Sequence, residues 1–354
     1  MVSKFSVLIR CITKKESGFG HLRRCLILSK QLQKKKYSIQ FAIDNNKNAK
    51  KLLKQHGFSY FQFKNDVDLK KEYATLRKII KKKNFDIIIL DARERNESLS
   101  KFLINDSIFS IVIDDAWCRY AYANLIFNTT ISKEFYKYIK TKNNNKIFYG
   151  IKYFITDENF SKSKKKLNSI KKKNKYNITI SMGGSDYDGL TYFLAKALLD
   201  LKNINIKLII GPYFSNYKKL NTLLNKNKNI QIINTPKNIW NIFLKSDVVI
   251  SNAGSTLYEL SIQKIPTIYI ATEKHQANYA KEFESKGFGR YLGHKNKITS
   301  NQIKSNLELV LDDVDLRKNM VKMSTIIHGT GSKLITNEIL KYEKTIKDKS
   351  IKIQ

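Results

Sequence analysis

The feature that most constrains this chain is an alternation of two textures. Short runs of β-branched and other apolar residues recur between longer stretches of helical periodicity: "FSVLIR" (5–10), "YSIQFAI" (37–43), "DIIIL" (86–90), "FSIVIDD" (109–115) and "LIFN" (125–128). A run that is apolar at nearly every position needs cover on both faces, and strands covered in that way belong to parallel sheets wrapped by helices. The first helical stretch, "HLRRCLILSKQLQKK", sets Leu22, Cys25, Leu26, Leu28 and Leu32 largely on one face. The alternation stops at 156–176, "TDENFSKSKKKLNSIKKKNKY", a charged segment without periodicity that reads as a linker. It then restarts with "NITISM" (177–182), "IKLIIG" (206–211), "IQIIN" (230–234), "DVVISN" (247–252) and "TIYIA" (267–271). The pattern predicts an α/β protein of two doubly wound Rossmann-like domains, residues 1–155 and 177–354, joined by a lysine-rich linker at 156–176. Such halves are expected to hold ligand in the cleft between them, beyond the carboxyl ends of their strands.

Charge and cysteine content narrow the function classes. The 354 residues carry a formal charge of +36, so nucleic acid has to be considered as a partner. The lysines are spread along the whole chain among abundant Asn and Ile, however, as an AT-rich coding bias produces. No zinc-finger spacing, basic zipper or aromatic RNA-binding motif accompanies them, and charge alone gives only non-specific phosphate affinity. No specific nucleic-acid partner is expected. Cys11, Cys25 and Cys118 are widely spaced without a CxxC, which points to a reducing compartment rather than a disulfide framework. The apolar run at the N-terminus reaches Arg10 too soon for a signal peptide or a transmembrane segment. The expectation is a cytoplasmic protein, favoured as a monomer. Nor does any His, Cys or carboxylate cluster have metal-ligand spacing, so no metal and no cofactor are expected.

Three segments fall where ligand loops are expected. In "ESGFGHLRRCLILSK" (16–30), Gly18 and Gly20 permit close backbone approach at a strand-to-helix turn, and His21 stands at the helix start. The dinucleotide fingerprint is not completed there, and a lone histidine is either an ordinary surface residue or an acid–base group. In "SMGGSD" (181–186), Gly183, Gly184 and Ser185 form either a phosphate-facing loop or a simple turn, with Asp186 as helix cap. In "SNAGSTLYEL" (251–260), Gly254 and Ser255 close a strand and Glu259 lies about one turn into the next helix. A carboxylate so placed can accept two ribose hydroxyls while the Gly-Ser amides hold a diphosphate. The competing reading is an acid that complements the helix dipole.

Together these motifs resemble a known family, the UDP-sugar hydrolase of pseudaminic acid biosynthesis, which has a two-domain GT-B fold. The resemblance runs through "GFGHLRRCLILSKQL", "IDDAW" (113–117), "FYGIKYFI" (148–155), "SMGGSD", "SDVVISNAGSTLYELSIQKIPTIYI", "HQANYA" (275–280) and "HGTGSKLI" (328–335). The second half is also similar to that of the N-acetylglucosaminyltransferase that makes lipid II. The family cleaves UDP-2,4-diacetamido-2,4,6-trideoxy-β-L-altropyranose to UDP and free sugar without a metal. The resemblance implies that His21 is the base that prepares water for attack at the anomeric carbon, with inversion at C1. It implies that Gly18 and Gly20 line the pyrophosphate and sugar, that Gly183, Gly184 and Ser185 run along the phosphates, and that Gly254 and Ser255 bind the diphosphate. Glu259 would hold the ribose, Gln276 and Asn278 the sugar side, and Arg10 and Asn252 complete the substrate-binding set.

The chain departs from the family on the sugar-facing side. After the first strand the family's Arg-x-Asp reads "RCIT", with Ile12 where the acid would stand. After a later strand its Asp-His-Tyr reads Asp91, Ala92 and Arg93, and "YFITDENF" lacks the usual arginine. Three readings follow. One is a metal-independent hydrolase of a UDP-activated diacetamido-trideoxy hexose. A second is a GT-B glycosyltransferase in which an acceptor hydroxyl replaces water. A third, from another class, is a non-catalytic nucleotide-sugar or basic nucleic-acid-binding protein.

Overall fold

Every continuous apolar run picked out above becomes a strand of a parallel sheet. The computed structural model describes residues 4–14, 19–64, 67–104, 106, 108–115, 118–140, 145–184, 186, 188–212, 214–324 and 327–351. They divide into two units, the first running to Thr156 and resuming at Thr330, the second spanning Asp157–Gly329.

The first unit runs β1 (Phe5–Cys11), α1 (Gly20–Gln33), β2 (Tyr37–Asp44), α2 (Lys47–Gln55), β3 (Ser59–Phe63), α3 (Leu69–Lys83), β4 (Ile87–Asp91), α4 (Asn96–Leu103) and β5 (Phe109–Asp114). Then come β6 (Tyr120–Ala121), β7 (Leu125–Asn128), β8 (Ile139–Lys140) and β9 (Lys146–Tyr149). Seven of these strands form one parallel sheet in the order β3-β2-β1-β4-β5-β7-β9. Chain direction across the sheet reverses between β1 and β4, where Cys11 stands opposite Asp91. The sheet is apolar on both faces: Val7 and Ile9 pack with the α1 leucines on one side, Leu8 and Ile88 with Leu76 and Leu99 on the other. Helix starts follow local chemistry. Asn46 accepts from the amides of Asn48 and Ala49 at α2, and Asp68 accepts from Lys71 at α3.

The second unit runs α5 (Glu158–Lys162), β10 (Tyr176–Ser181), α6 (Leu190–Ala197), β11 (Ile204–Ile210), α7 (Tyr217–Lys226), β12 (Ile230–Asn234), α8 (Ile239–Leu244), β13 (Val248–Asn252), α9 (Ser255–Ile262), β14 (Thr267–Ala271), α10 (Lys274–Ser285), β15 (Arg290–His294), α11 (Ser300–Asp312) and α12 (Val314–Met323). Its six-stranded parallel sheet has the order β12-β11-β10-β13-β14-β15 and reverses between β10 and β13. Two further helices, α13 (Gly331–Leu340) and α14 (Glu343–Ile351), belong to the first unit.

Two boundaries differ from the sequence reading. The C-terminal domain was expected to run to 354, yet Ile335, Ile339 and Ile346 are buried in the core of the first unit. The return is made by a close approach. A Cβ on Gly331 would stand 2.1 Å from the Phe154 carbonyl oxygen, so only glycine lets α13 start there. The segment expected as a linker at 156–176 carries α5 and packs on the second unit. Lys165 donates its amide to the Gln263 carbonyl at 2.8 Å, and Ile170 is buried.

Candidate functional site

In doubly wound sheets, ligands gather where the strand order reverses, beyond the carboxyl ends of the strands. At that point in the first unit lie the end of β4 and the start of α1. Phe19 caps α1 without a side-chain acceptor, and Gly20 is its exposed first residue. His21 follows, and its Nδ1 lies 2.7 Å from Asp91 Oδ1. Arg24, one turn further along, donates from Nε to Asp91 Oδ2 at 2.6 Å and from Nη2 to Oδ1 at 2.6 Å. Its Nη1 reaches Asp115 Oδ2 at 2.5 Å, and Asp115 Oδ1 accepts from Thr129 Oγ1 at 2.8 Å. Cys25 donates its thiol to Asp91 at 3.3 Å.

The electrostatics fix the tautomer. Burial alone would raise the Asp91 pKa, but the Arg24 guanidinium and His21 outweigh it and hold the carboxyl well below its usual range. An ionised carboxylate only accepts, so the short contact requires Nδ1–H to donate to Asp91. In the neutral ring the lone pair is then on Nε2. The Arg24 Nη2 also lies 3.1 Å from Nδ1, but with the ring proton on Nδ1 this is proximity, and Nη2 spends its hydrogen bond on Asp91. An imidazole oriented by a carboxylate through Nδ1, its side chain 14% exposed, has the geometry that general-base chemistry at Nε2 requires.

The corresponding point of the second unit gathers other predicted residues. Asn252 ends β13, and its side-chain amide nitrogen fills the room beside two glycines. A Cβ on Gly183 would lie 3.5 Å from it, and one on Gly254 would lie 3.3 Å from it. Asn252 Oδ1 is buried with no hydrogen-bond partner among the described residues. Gly183 adopts φ 89°, which favours glycine. Gly184 packs under the next strand end: a Cβ on Gly211 would stand 2.3 Å from the Gly184 carbonyl oxygen. Gly254 caps α9 without a side-chain acceptor, and exposed Ser255 opens the helix. Glu259 lies one turn in and is half-buried. Among the described residues, the first-turn amides of α9 face a helix end without a side-chain N-cap, as an anion site requires.

Other predicted residues resolve differently. Asp186 accepts from Leu190 N and Thr191 N, both at 2.9 Å, so the start of α6 is filled by its own carboxylate. That settles the cap reading for this residue. Gln276 is buried and accepts from Thr272 N at 2.9 Å and Thr272 Oγ1 at 3.0 Å, holding the turn before α10, while Asn278 is exposed on that helix. Gly18 and Ser185 lie outside the described residues.

Arg10, expected to bind substrate, is a correction. It is 1% exposed and donates to Glu72 Oε1 at 2.6 Å, Asp44 Oδ1 at 2.7 Å and the Cys11 carbonyl at 2.7 Å. All three guanidinium nitrogens are spent inside the sheet, and its charge is balanced there by two carboxylates. Sequence reasoning noted Asp91 at the family's acidic position but gave no role to Asp91, Arg24 or Asp115. Their signals were an acid ending an apolar strand and an arginine three residues after His21.

The family model for the glycosyltransferase family 28 C-terminal domain matches residues 178–337. The chain is 27% identical to the uncharacterized protein MJ1062 of Methanocaldococcus jannaschii, across 92% of this chain and 68% of that one. It is 22% identical to the UDP-2,4-diacetamido-2,4,6-trideoxy-beta-L-altropyranose hydrolase of Campylobacter jejuni, across 80% of this chain and 97% of that protein. Among solved structures it is similar to MurG of Acinetobacter baumannii, with a TM-score of 0.71 at 15% identity, covering 95% of this chain and 99% of that one. The fold is therefore GT-B, built from two parallel Rossmann-like units. Among the described residues no helix is long and apolar enough to cross a membrane.

Proposed function

We propose that the chain is a UDP-sugar-using enzyme, and specifically a metal-independent hydrolase that releases UDP from a UDP-activated diacetamido-trideoxy hexose with inversion at C1. The free sugar would feed the formation of a pseudaminic-type nonulosonic acid. The observation that carries the catalytic part is the His21–Asp91–Arg24 constellation, with Nδ1 committed to Asp91. Nε2 accepts a proton from water as the water oxygen bonds to C1. The bond from C1 to the phosphate oxygen breaks, and its electron pair leaves on UDP. A diphosphate is a good leaving group, so a strong general acid is not needed; donors for the charge developing on the β-phosphate are. Gly254 and Ser255 at the start of α9, with Gly183 and Gly184, are the backbone donors assigned that task, and Glu259 is assigned the ribose. The likeness to the Campylobacter jejuni hydrolase supports the choice of substrate.

A second reading has its own support. The family 28 match and the MurG likeness favour a glycosyltransferase, in which Nε2 deprotonates an acceptor hydroxyl. The two readings separate in a phosphorus and proton NMR time course with a panel of UDP-amino-sugars, no acceptor and excess EDTA. UDP release with a free reducing sugar of inverted C1 configuration establishes the hydrolase. Saturable UDP binding without turnover favours the transferase.

A further inference from the structure

On the second unit, apart from every residue assigned above, a cavity of about 430 Å³ opens among the segment after α5, the chain just past α9 and the end of α12. Lys164, Lys165, Lys166, Lys264 and Lys322 line it, and among the described residues no carboxylate does. Some lysines elsewhere on this unit meet acids: Lys173 pairs with Asp247 at 2.5 Å, Lys295 with Asp188 at 2.6 Å and Lys304 with Asp200 at 2.5 Å. Among the described residues Lys164, Lys166, Lys264 and Lys322 have no ion pair. Lys165 is held in place, since its Nζ donates to the Ser246 carbonyl.

Crowding like charges with no counter-charge is unfavourable, and the local chemistry registers it. Burial pushes the Lys165 ammonium down to about 8 against the pull of Asp247, and burial with neighbouring Lys264 pushes Lys164 down. Lys264 also sits at φ 62°, a left-handed conformation that glycine adopts without strain. One wall is apolar, made by buried Val321 and by Leu167, which is 38% exposed.

We propose that this cavity is a binding site for a multivalent phosphate, such as a di- or triphosphate or a phosphomonoester headgroup, with its attached organic group against Leu167 and Val321. A single carboxylate would leave most of the charge unbalanced. The modest volume admits a small headgroup rather than a polymer. The proposal does not depend on His21 or on the reaction assigned to it.

The test is titration calorimetry of the full chain with tripolyphosphate at fixed ionic strength, alongside co-sedimentation with phosphatidylcholine vesicles with and without phosphatidic acid. Two variants are compared with wild type: Lys164→Gln/Lys264→Gly, and a control, Lys81→Gln/Lys82→Gln, on exposed α3 positions. Losing two charged donors should weaken binding about tenfold or more in the first variant. The control should stay within about twofold by the same reasoning. UDP affinity and melting temperature should hold in both variants, because glycine relieves the backbone at 264. Tripolyphosphate binding that persists with saturating UDP and weakens in the first variant identifies a soluble ligand, and vesicle binding alone identifies a lipid headgroup; wild-type affinity in the first variant overturns the proposal. Binding to neither probe, or equal weakening in the control, overturns the proposal.

Discussion

The role proposed for His21 depends on how Arg24 and Cys25 hold Asp91. A carboxylate with one histidine partner is free to rotate; here Arg24 grips both oxygens, so the acceptor facing Nδ1 is fixed. His21→Ala should therefore leave UDP affinity nearly unchanged and lower turnover by about 10² or more. Lost UDP binding with unchanged turnover would reverse the assignment. Arg24→Gln should lower kcat by about tenfold or more, also with UDP affinity unchanged. Arg24→Lys should restore little, because a point charge cannot bridge both oxygens. Full activity in Arg24→Lys would show that charge, not the two-pronged grip, is what matters. The histidine stands out in the sequence through its glycine-flanked loop. Its partners do not, since Asp91 and Asp115 lie 70 and 91 residues from the groups they contact. Only the register of β1 on β4, which sets Cys11 opposite Asp91, brings them to one place. Arg10 was misassigned for a related reason. It ends an apolar strand as a site residue would, and nothing local shows that Asp44 and Glu72 will meet it in the core.

At the scale of elements, what could be read was what is continuously apolar, mostly the buried strands and the edge strand β12. The strands missed were β3, β9 and β15, each at the edge of a large sheet and only partly covered, and the two-residue β6 and β8, too short to show a pattern. The return of α13 was hidden too, because its contact depends on an absent side chain. Gly331→Ala places a methyl carbon 2.1 Å from the Phe154 carbonyl oxygen, where backbone rather than a flexible side chain must move. Overpacking of this kind costs about 1–3 kcal/mol or more, so the melting temperature of the first unit should fall measurably. An unchanged melting temperature would mean that α13 is seated further out. The Arg10 knot joins β1, β2 and α3, and it makes the same unit sensitive to acid. Burial would raise the Asp44 carboxyl, but the Arg10 charge and hydrogen bonds outweigh it and hold the group below its ordinary value. A group depressed in the folded state stabilises fully above its unfolded pKa, about 3.9, and that contribution is lost as pH falls through the folded value. Asp44→Asn should remove part of the loss of stability below about pH 4 while lowering stability at neutral pH. Denaturant titrations at both pH values read the difference, and an unaltered acid slope would shift the cause to other carboxylates such as Asp91.

Across the whole molecule the dominant quantity is charge. Both sheets are closed by apolar packing, with fully buried strand residues such as Ile9, Ile88, Ile180 and Ile250. The charge of +36 is a cost that this packing has to offset. Self-repulsion among dispersed lysines is long-ranged in dilute salt, where the screening length is about 30 Å at 0.01 M, and short-ranged at about 8 Å in 0.15 M. Raising sodium chloride across that range should therefore raise the melting temperature by a few degrees, roughly what about 1 kcal/mol gives for domains of this size. The effect should be the same in the His21→Ala variant, because it belongs to the net charge and not to the site. Tripolyphosphate at matched ionic strength gives the contrast. If the lysines act only as a diffuse cloud, it stabilises no more than chloride does, and the cavity at Lys164 and Lys264 holds nothing. If that cavity is a built site, tripolyphosphate adds a saturable increment by binding only the folded state. Lys164→Gln/Lys264→Gly should then abolish that increment and leave the response to sodium chloride nearly unchanged.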